Sequence, residues 1–342
     1  MKIMKKIRIS LTALLLGLCL IPSANAGFFD RWKKEPTYAK TQYPIVMVPG
    51  AFAFDNAFGI LDYWHGITDE LRDEGAEVYV TNLSSLALHE TRGEELLTSV
   101  EEIMAITGAK KVNLIAHSQG ATASRYVAAL KPEWIASISC THCMNEGTHF
   151  AKNLDEAIED GTFLKTAGVA MISGLFNFIE WGSTDASDGD YNSSANENQD
   201  AKALLISASR DDYDRFNALY PQAMPAEDCS IINEGIDGHT GGGEHVVNGV
   251  RYYSWGGKKE STRLLDPLDA LMVPIVKMFM PNDVVWDGLV PSCGQALGEF
   301  LRDDYRTNHY DAINQTAGMT AAFVDVPSIF VTQANRLKKA GL

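Results

Sequence analysis

The chain has 342 residues, 46% of them hydrophobic, with 29 basic against 44 acidic side chains and a formal charge of −15 at pH 7. That length and apolar share are enough to bury a large core and exclude a disordered chain, so one large α/β domain with insertions is the expectation. The acidic balance excludes a nucleic-acid binder, whose footprint would be basic.

In chain order, residues 1–26 read as a secretory signal: Lys2, Lys5, Lys6 and Arg8 precede an apolar run from Leu11 to Ile21, and Ala24-Asn25-Ala26 supplies small residues for cleavage. The run is too short to span a bilayer comfortably. Cys19 follows the bulky Leu18, where lipoprotein processing wants a small residue. Removing these residues deletes four positive charges and no acid, which takes the formal charge from −15 to −19. The expected destination is outside the cell.

Residues 27–41 carry mixed charge without periodicity and read as a leader into the fold. Tyr43-Pro44-Ile45-Val46-Met47-Val48-Pro49-Gly50 is a continuous apolar run, as a strand covered on both faces requires. A second strand is expected at 78–80, and a helix at 93–106, where Leu96, Val100, Ile103 and Met104 keep helical spacing and Gly108 ends it. Strand 112–115 comes next, then a helix from Gly120 to Leu130 and a strand at 135–139. Alternating strands and helices with short links mean a mostly parallel, doubly wound sheet. Its ligands belong beyond the carboxyl ends of the strands, where Gly50 and Ser118 both fall.

Residues 163–181 are strongly apolar at helical spacing, with Phe176, Phe178, Ile179 and Trp181 among the large side chains. They read either as a buried core helix or as a lid whose apolar face meets lipid. Residues 182–200, rich in Ser, Asp, Asn and Gly, read as an exposed loop. Asn248-Gly249 between apolar runs predicts a hairpin.

The chemistry centres on Ala116-His117-Ser118-Gln119-Gly120 between a strand and a helix. A serine on so tight a turn needs small neighbours two residues to each side, and Ala116 and Gly120 supply them. Ser118 is therefore the candidate nucleophile. The helix N-terminus and the Gln119 amide would face charge developing beside it. A serine nucleophile needs a base, and the base an acid to orient it. His117 adjoins the serine and points elsewhere, while His142, His149, His239 and His245 lie in polar stretches without an evident acid. His309 sits late, in a loop between helical segments, and an acid lying between Ser118 and His309 would be Asp287 or Asp283. Four cysteines follow the signal. Cys229 and Cys293 form a candidate bridge, while Cys140 and Cys143 read as small core residues or a local pair rather than a metal or redox site.

Several dispersed segments together make the chain resemble the secreted true lipases of the Pseudomonas and Burkholderia type. These include Tyr43-Pro44-Ile45-Val46, Asp62-Tyr63-Trp64, Arg92-Gly93-Glu94, Lys111-Val112-Asn113-Leu114, 247–255, Asp287-Gly288-Leu289-Val290 and Gln333-Ala334-Asn335-Arg336-Leu337. The resemblance implies an α/β-hydrolase fold, with residues 27–342 as one lipase domain and a helical lid region at about 150–200. It implies a triacylglycerol lipase with Ser118 as nucleophile, Asp287 as acid, His309 as base, and backbone amides of Ala51 and Gln119 as the oxyanion hole. It further implies one structural calcium ion, held by Asp266 and Asp311 with main-chain oxygens of Gln315 and Met319, and a Cys229–Cys293 disulfide. A periplasmic lipase-specific foldase chaperone is an implied partner. Two departures stand out: Pro49-Gly50 replaces the usual His-Gly before the oxyanion residue, and Ala116 replaces a glycine. Carboxylesterase or phospholipase activity on the same machinery, or a lipid binder without turnover, are the competing readings.

Overall fold

Ile45–Val48 forms strand β1, and all four of its side chains are buried, because helices cover both faces of the sheet it belongs to. Val46 and Val48 pack with Leu96, Val100 and Ile103 on one side. Ile45 and Met47 pack with Ile67, Leu71 and Phe330 on the other. This computed structural model describes residues 36–51, 56–57, 61–159, 201–226, 242–263, 265–282 and 284–342, and Thr37–Leu342 makes one unit. The expected signal 1–26, the apolar stretch 163–181 and loop 182–200 lie outside the described residues, as do Asp283, His239 and Cys229.

After β1 come α1 (Ile67–Asp73), β2 (Val78–Val80), α2 (His89–Thr107), β3 (Val112–His117), α3 (Gly120–Leu130) and β4 (Ile135–Thr141). Then follow α4 (His149–Glu159), α5 (Ala201–Ala208), α6 (Arg210–Leu219), β5 (Val246–Val247), β6 (Val250–Gly257), α7 (Pro267–Phe279), β7 (Glu299–Tyr305) and α8 (Val326–Lys339). These strands form a seven-stranded sheet in the order β2-β1-β3-β4-β6, with β5 and β7 both paired to β6. Every pairing is parallel except β5 with β6. This is the mostly parallel sheet expected from the sequence and the α/β-hydrolase arrangement that the resemblance implies, and its parallel register brings the ends of β1 and β3 together, Val48 beside Ala116.

Local departures have local causes. Helix α2 begins at His89, four residues before the expected 93, because His-Glu-Thr-Arg reads as a polar loop while His89 and Arg92 are in fact fully buried. Strands β3 and β4 each run two residues past the expected ends, carrying polar His117 and Thr141 into buried ladder positions. The predicted hairpin forms: Asn248 and Gly249 take φ of 51° and 81°, the pair of positive values that matches strand twist. Cys140 and Cys143 are a local pair joined by a disulfide. Cys293 is also disulfide-bonded.

Candidate active site

Strand β3 delivers His117 and α3 takes the chain away at Gly120, so Ser118 and Gln119 must turn it within two residues. Ser118 pays with a left-handed φ of 54°, a conformation non-glycine residues enter only under constraint. The constraint is close approach on both sides. A Cβ on Gly120 would lie 2.5 Å from the Val48 carbonyl oxygen, and one on Gly50 would lie 2.5 Å from Ser118 Cβ. The turn is held from behind as well, since the Met144 amide donates to the Ser118 carbonyl at 3.1 Å.

Two loops of the second half reach this turn. His309 Nε2 stands 2.9 Å from Ser118 Oγ, and its Nδ1 stands 2.9 Å from Asp287 Oδ2. All three side chains are buried. Because a carboxylate only accepts, Nδ1 carries the proton and Nε2 is left bare to take one from Ser118. Asp287 is held by amides of Leu289 (3.1 Å) and Val290 (2.8 Å) on Oδ1 and by Gln295 Nε2 (3.0 Å) on Oδ2. The loops are stitched directly, His309 N–H donating to the Asp287 carbonyl at 2.7 Å. Spacing left Asp287 and Asp283 open as the acid; the geometry brings Asp287 to the imidazole.

Ala51 follows Gly50 beyond the end of β1 and packs against the apolar cluster that includes Met144, Leu289 and Val290. Gln119 caps the N-terminus of α3, where backbone N–H groups lack helical partners. Its side chain donates to Ser207 Oγ at 2.8 Å. Sequence reasoning gave no role to Arg92, whose buried guanidinium donates to the carbonyls of Pro49 (2.6 Å), Gly50 (3.0 Å) and Ser84 and so pins the loop that carries Ala51. A usable signal was there: Arg92 lies one helical turn before Leu96, on the buried face. Tyr63 and Gln295 were also passed over, and neither carries a periodic signal. His117 does point away from the serine, its Nε2 3.0 Å from the His309 carbonyl. His142 Nε2 lies 3.1 Å from Thr307 Oγ1, and burial pushes its pKa down to about 4.

Asp266 caps α7, accepting from the Leu268 amide at 2.8 Å. Asp311 follows His309 and takes a 2.6 Å hydrogen bond from the Thr262 hydroxyl. Asp269 neighbours Asp311 and accepts from Ser261, Thr262 and Arg263 and from the Asn308 side chain. Burial raises the Asp311 carboxyl to about 7; the Thr262 hydrogen bond opposes this, and the carboxylates of Asp269 and Asp266 add to it. Gln315 is buried and Met319 half-buried nearby in sequence. Among the described residues no three His, Cys, Asp or Glu side chains form a metal-holding group, and the set implied by the resemblance contains only two carboxylates. None of the described helices is long and apolar enough to cross a membrane.

The model of the alpha/beta hydrolase fold family matches residues 43–160. A Vibrio cholerae protein named triacylglycerol lipase is 39% identical over 96% of this chain and 98% of its own length. One of the same name from Pseudomonas fragi is 34% identical over 88% of this chain and 98% of its own. Among solved structures, lipase 1 from Pelosinus fermentans superposes with a TM-score of 0.54 at 17% identity, over 87% of this chain and 99% of that one; this likeness concerns the fold alone.

Proposed function

Because the chain belongs to the bacterial triacylglycerol lipase family of the α/β-hydrolase fold, we propose that it hydrolyses the carboxylic esters of acylglycerols through Ser118, His309 and Asp287. The observation that carries this reading is the unbroken buried chain from Ser118 Oγ through both His309 nitrogens to Asp287, each link 2.9 Å. In it, His309 Nε2 takes the Ser118 proton as Oγ attacks the ester carbonyl carbon, and Asp287 stabilises the imidazolium. The backbone amides of Ala51 and Gln119 receive the oxyanion of the tetrahedral intermediate. On collapse the ester C–O bond breaks and His309 returns its proton to the departing alkoxide, which leaves an acyl group on Ser118. Water, activated by the same imidazole, then releases the fatty acid.

The finer reading is an enzyme exported through the periplasm, helped by a lipase-specific foldase, that works at a lipid–water surface. The basic and apolar character of residues 1–21 supports export. Asp266 and Asp311, with main-chain oxygens of Gln315 and Met319, would hold one calcium ion, an all-oxygen set suited to a hard cation. Support comes from Asp311 itself: burial foremost, with the carboxylates of Asp269 and Asp266 adding to it, raises its pKa, and a divalent cation would oppose this. When bound, the ion supplies charge neutralisation and stiffens the loop that carries His309.

Fluorophosphonate labelling, followed by hydrolysis rates across esters from short to long acyl chains, tests the reading. Label on Ser118 and rates that rise once a long-chain ester passes its solubility limit are expected. Label elsewhere removes the catalytic assignment, and full activity on short soluble esters alone moves the protein to the carboxylesterase reading. For the metal, chelation is expected to lower the melting temperature, since a ligand bound only by the native state stabilises it by mass action; an unchanged melt removes the site.

A further inference from the structure

The reaction assigned above uses His309 through its ring, but its backbone carbonyl is tied to a second histidine. His117 Nε2 lies 3.0 Å from the His309 carbonyl oxygen, and His117 Nδ1 lies 2.7 Å from Tyr63 Oη. Tyr63 Oη in turn takes the Gly50 amide at 2.8 Å. All the side chains in this path are buried.

Both ends of the path are backbone groups, and that fixes the direction of every link. A carbonyl can only accept, so His117 Nε2 must carry a proton. A neutral imidazole has one N–H, so Nδ1 is bare and accepts from the Tyr63 hydroxyl. The Tyr63 oxygen is then free to accept from the Gly50 N–H, which can only donate. A charged His117 would donate from both nitrogens, which reverses the Tyr63 link and takes the acceptor away from the Tyr63 O–H. It would also sit against the His309 ring, 4.6 Å away between centroids, where imidazolium must form during turnover. Burial foremost, then the neighbouring His309 and His142, holds the His117 pKa well below the ordinary value.

We propose that Tyr63 and His117 form a one-directional hydrogen-bond bridge from the Gly50 amide to the His309 carbonyl, and that this bridge sets the spacing between the oxyanion loop and the base. The proposal rests on the reading of Ser118 and His309 as the catalytic pair. Tyr63 and His117 are positioning residues in it. The bridge occupies the Gly50 amide, which leaves the next amide, Ala51, as the donor this loop can offer to an oxyanion.

The test has a spectroscopic and a kinetic arm. In protein labelled with nitrogen-15 at histidine, with His117 assigned through its backbone, the ring should show a protonated Nε2 and a bare Nδ1 at neutral pH. The opposite tautomer or a charged ring overturns the bridge. Tyr63→Phe should lower kcat on a soluble short ester about tenfold per folded molecule, with KM within about twofold, because only the alignment of reacting groups is lost. An unchanged kcat overturns the positioning role. Should Tyr63→Phe not fold, His117→Gln against His117→Leu decides. Glutamine can present an acceptor to Tyr63 and a donor to the carbonyl, so it should retain at least about tenfold more activity than leucine; equal losses overturn the bridge. Ser118→Ala is the independent control: if it kept its activity, the catalytic pair itself would be at fault, whereas an inert Ser118→Ala with a normal Tyr63→Phe removes the bridge alone.

Discussion

The elbow around Ser118 and the two late loops that carry Asp287 and His309 reach the same point by different physics. The elbow is set by covalent geometry and exclusion: a left-handed serine, a strand before it, a helix after it, and glycines at 50 and 120 where a single extra carbon would meet Ser118 Cβ and the Val48 carbonyl oxygen. The late loops rest mainly on hydrogen bonds at the residues that matter, with one steric point at Gly288 beside Asp287, where φ is 100° and a Cβ would lie 2.8 Å from the Glu260 carbonyl oxygen. Asp287 is held by three hydrogen bonds to one carboxylate. His309 is held by its amide on Asp287 and by Asn308, whose side chain accepts from the Tyr310 and Asp311 amides and donates to Asp269. The contrast teaches that one half of the site should fail when atoms are added and the other when hydrogen-bond partners are removed.

The largest expected effects test whether the two halves act as one unit. Ser118→Ala should cost on the order of a millionfold in kcat while folding normally, as removal of a triad nucleophile does elsewhere. Asp287→Asn should cost on the order of ten-thousandfold, since an amide at that place favours the wrong imidazole tautomer. Initial rates on a soluble ester measure both. An Asp287→Asn enzyme within tenfold of the parent would mean that the late loops only scaffold the base.

Acidity should attack the halves from opposite sides. Burial holds His89 at about 3, His142 at about 4 and His117 well below its ordinary value; His89 meets Thr122 in α3, His117 ends β3, and His142 meets Thr307. Each is neutral when folded and protonates on unfolding, so its stabilisation is present above pH 6.5 and is lost as pH falls toward its folded pKa. Asp311, in the base loop, has the reverse sign. Its folded pKa near 7 lies above the ordinary 3.8, so its stabilisation is full at acid pH and is lost as pH rises through 7 in calcium-free protein. Near pH 5 His89 and His142, less Asp311, leave the unfolded chain with about one more proton than the folded one, a slope of about 1.4 kcal/mol per pH unit, and His117 acts in the same direction. Denaturant midpoints from pH 4.5 to 6 measure it. A flat profile would mean that these histidines are already charged in the fold, and calcium, by holding Asp311 charged, should steepen the profile between pH 4.5 and 6.

Smaller single-site changes separate exclusion from tethering. Gly120→Ala puts a methyl 2.5 Å from one backbone carbonyl oxygen and 2.8 Å from another, so strand and helix must part, at about 1–3 kcal/mol of stability. Gln295→Ala removes a tether from Asp287 and from both polar groups of the Gly257 backbone, so it should lower kcat about tenfold. Thermal melts and kcat on the same two proteins decide. If Gly120→Ala melts with the parent, the exclusion argument for the elbow is wrong.

The same contrast explains what the sequence made legible. Strands β1, β3 and β4 were readable because burial on both faces leaves continuous apolar runs, and Ser118 because a tight strand-to-helix turn demands small residues at fixed offsets. The hairpin was readable because two positive φ values call for Asn-Gly. Asp287 and His309 carry no such local mark; chain order narrowed them and resemblance to a family chose between Asp287 and Asp283. Gln295, Asn308 and Asp269 stayed hidden because each acts through side-chain hydrogen bonds, which leave no periodicity. His89 and Arg92 hid the first turn of α2 because buried polar side chains mimic a loop until Thr122 and the carbonyls of Pro49 and Gly50 are known to partner them.

The smallest expected effect concerns the place where the halves touch. The Cys140–Cys143 disulfide closes a turn with a sequence separation of 3. Met144, just beyond it, donates its amide to the Ser118 carbonyl, while His142, inside it, meets Thr307 near the base. Closing so short a loop removes little freedom from the unfolded chain, about 2 kcal/mol by the chain-entropy relation. Replacing both cysteines by alanine should therefore lower the melting temperature by a few degrees. If the elbow is held by its own strain and by the glycines beneath it, kcat on a soluble ester should stay within about twofold, because the Met144 amide can still reach the serine carbonyl. Calorimetry and initial rates on the double variant measure both quantities. A normal melt with a large loss of kcat would reverse the expectation: the disulfide would then be setting the turn behind Ser118, and the elbow would depend on a tether as much as the loops opposite it do.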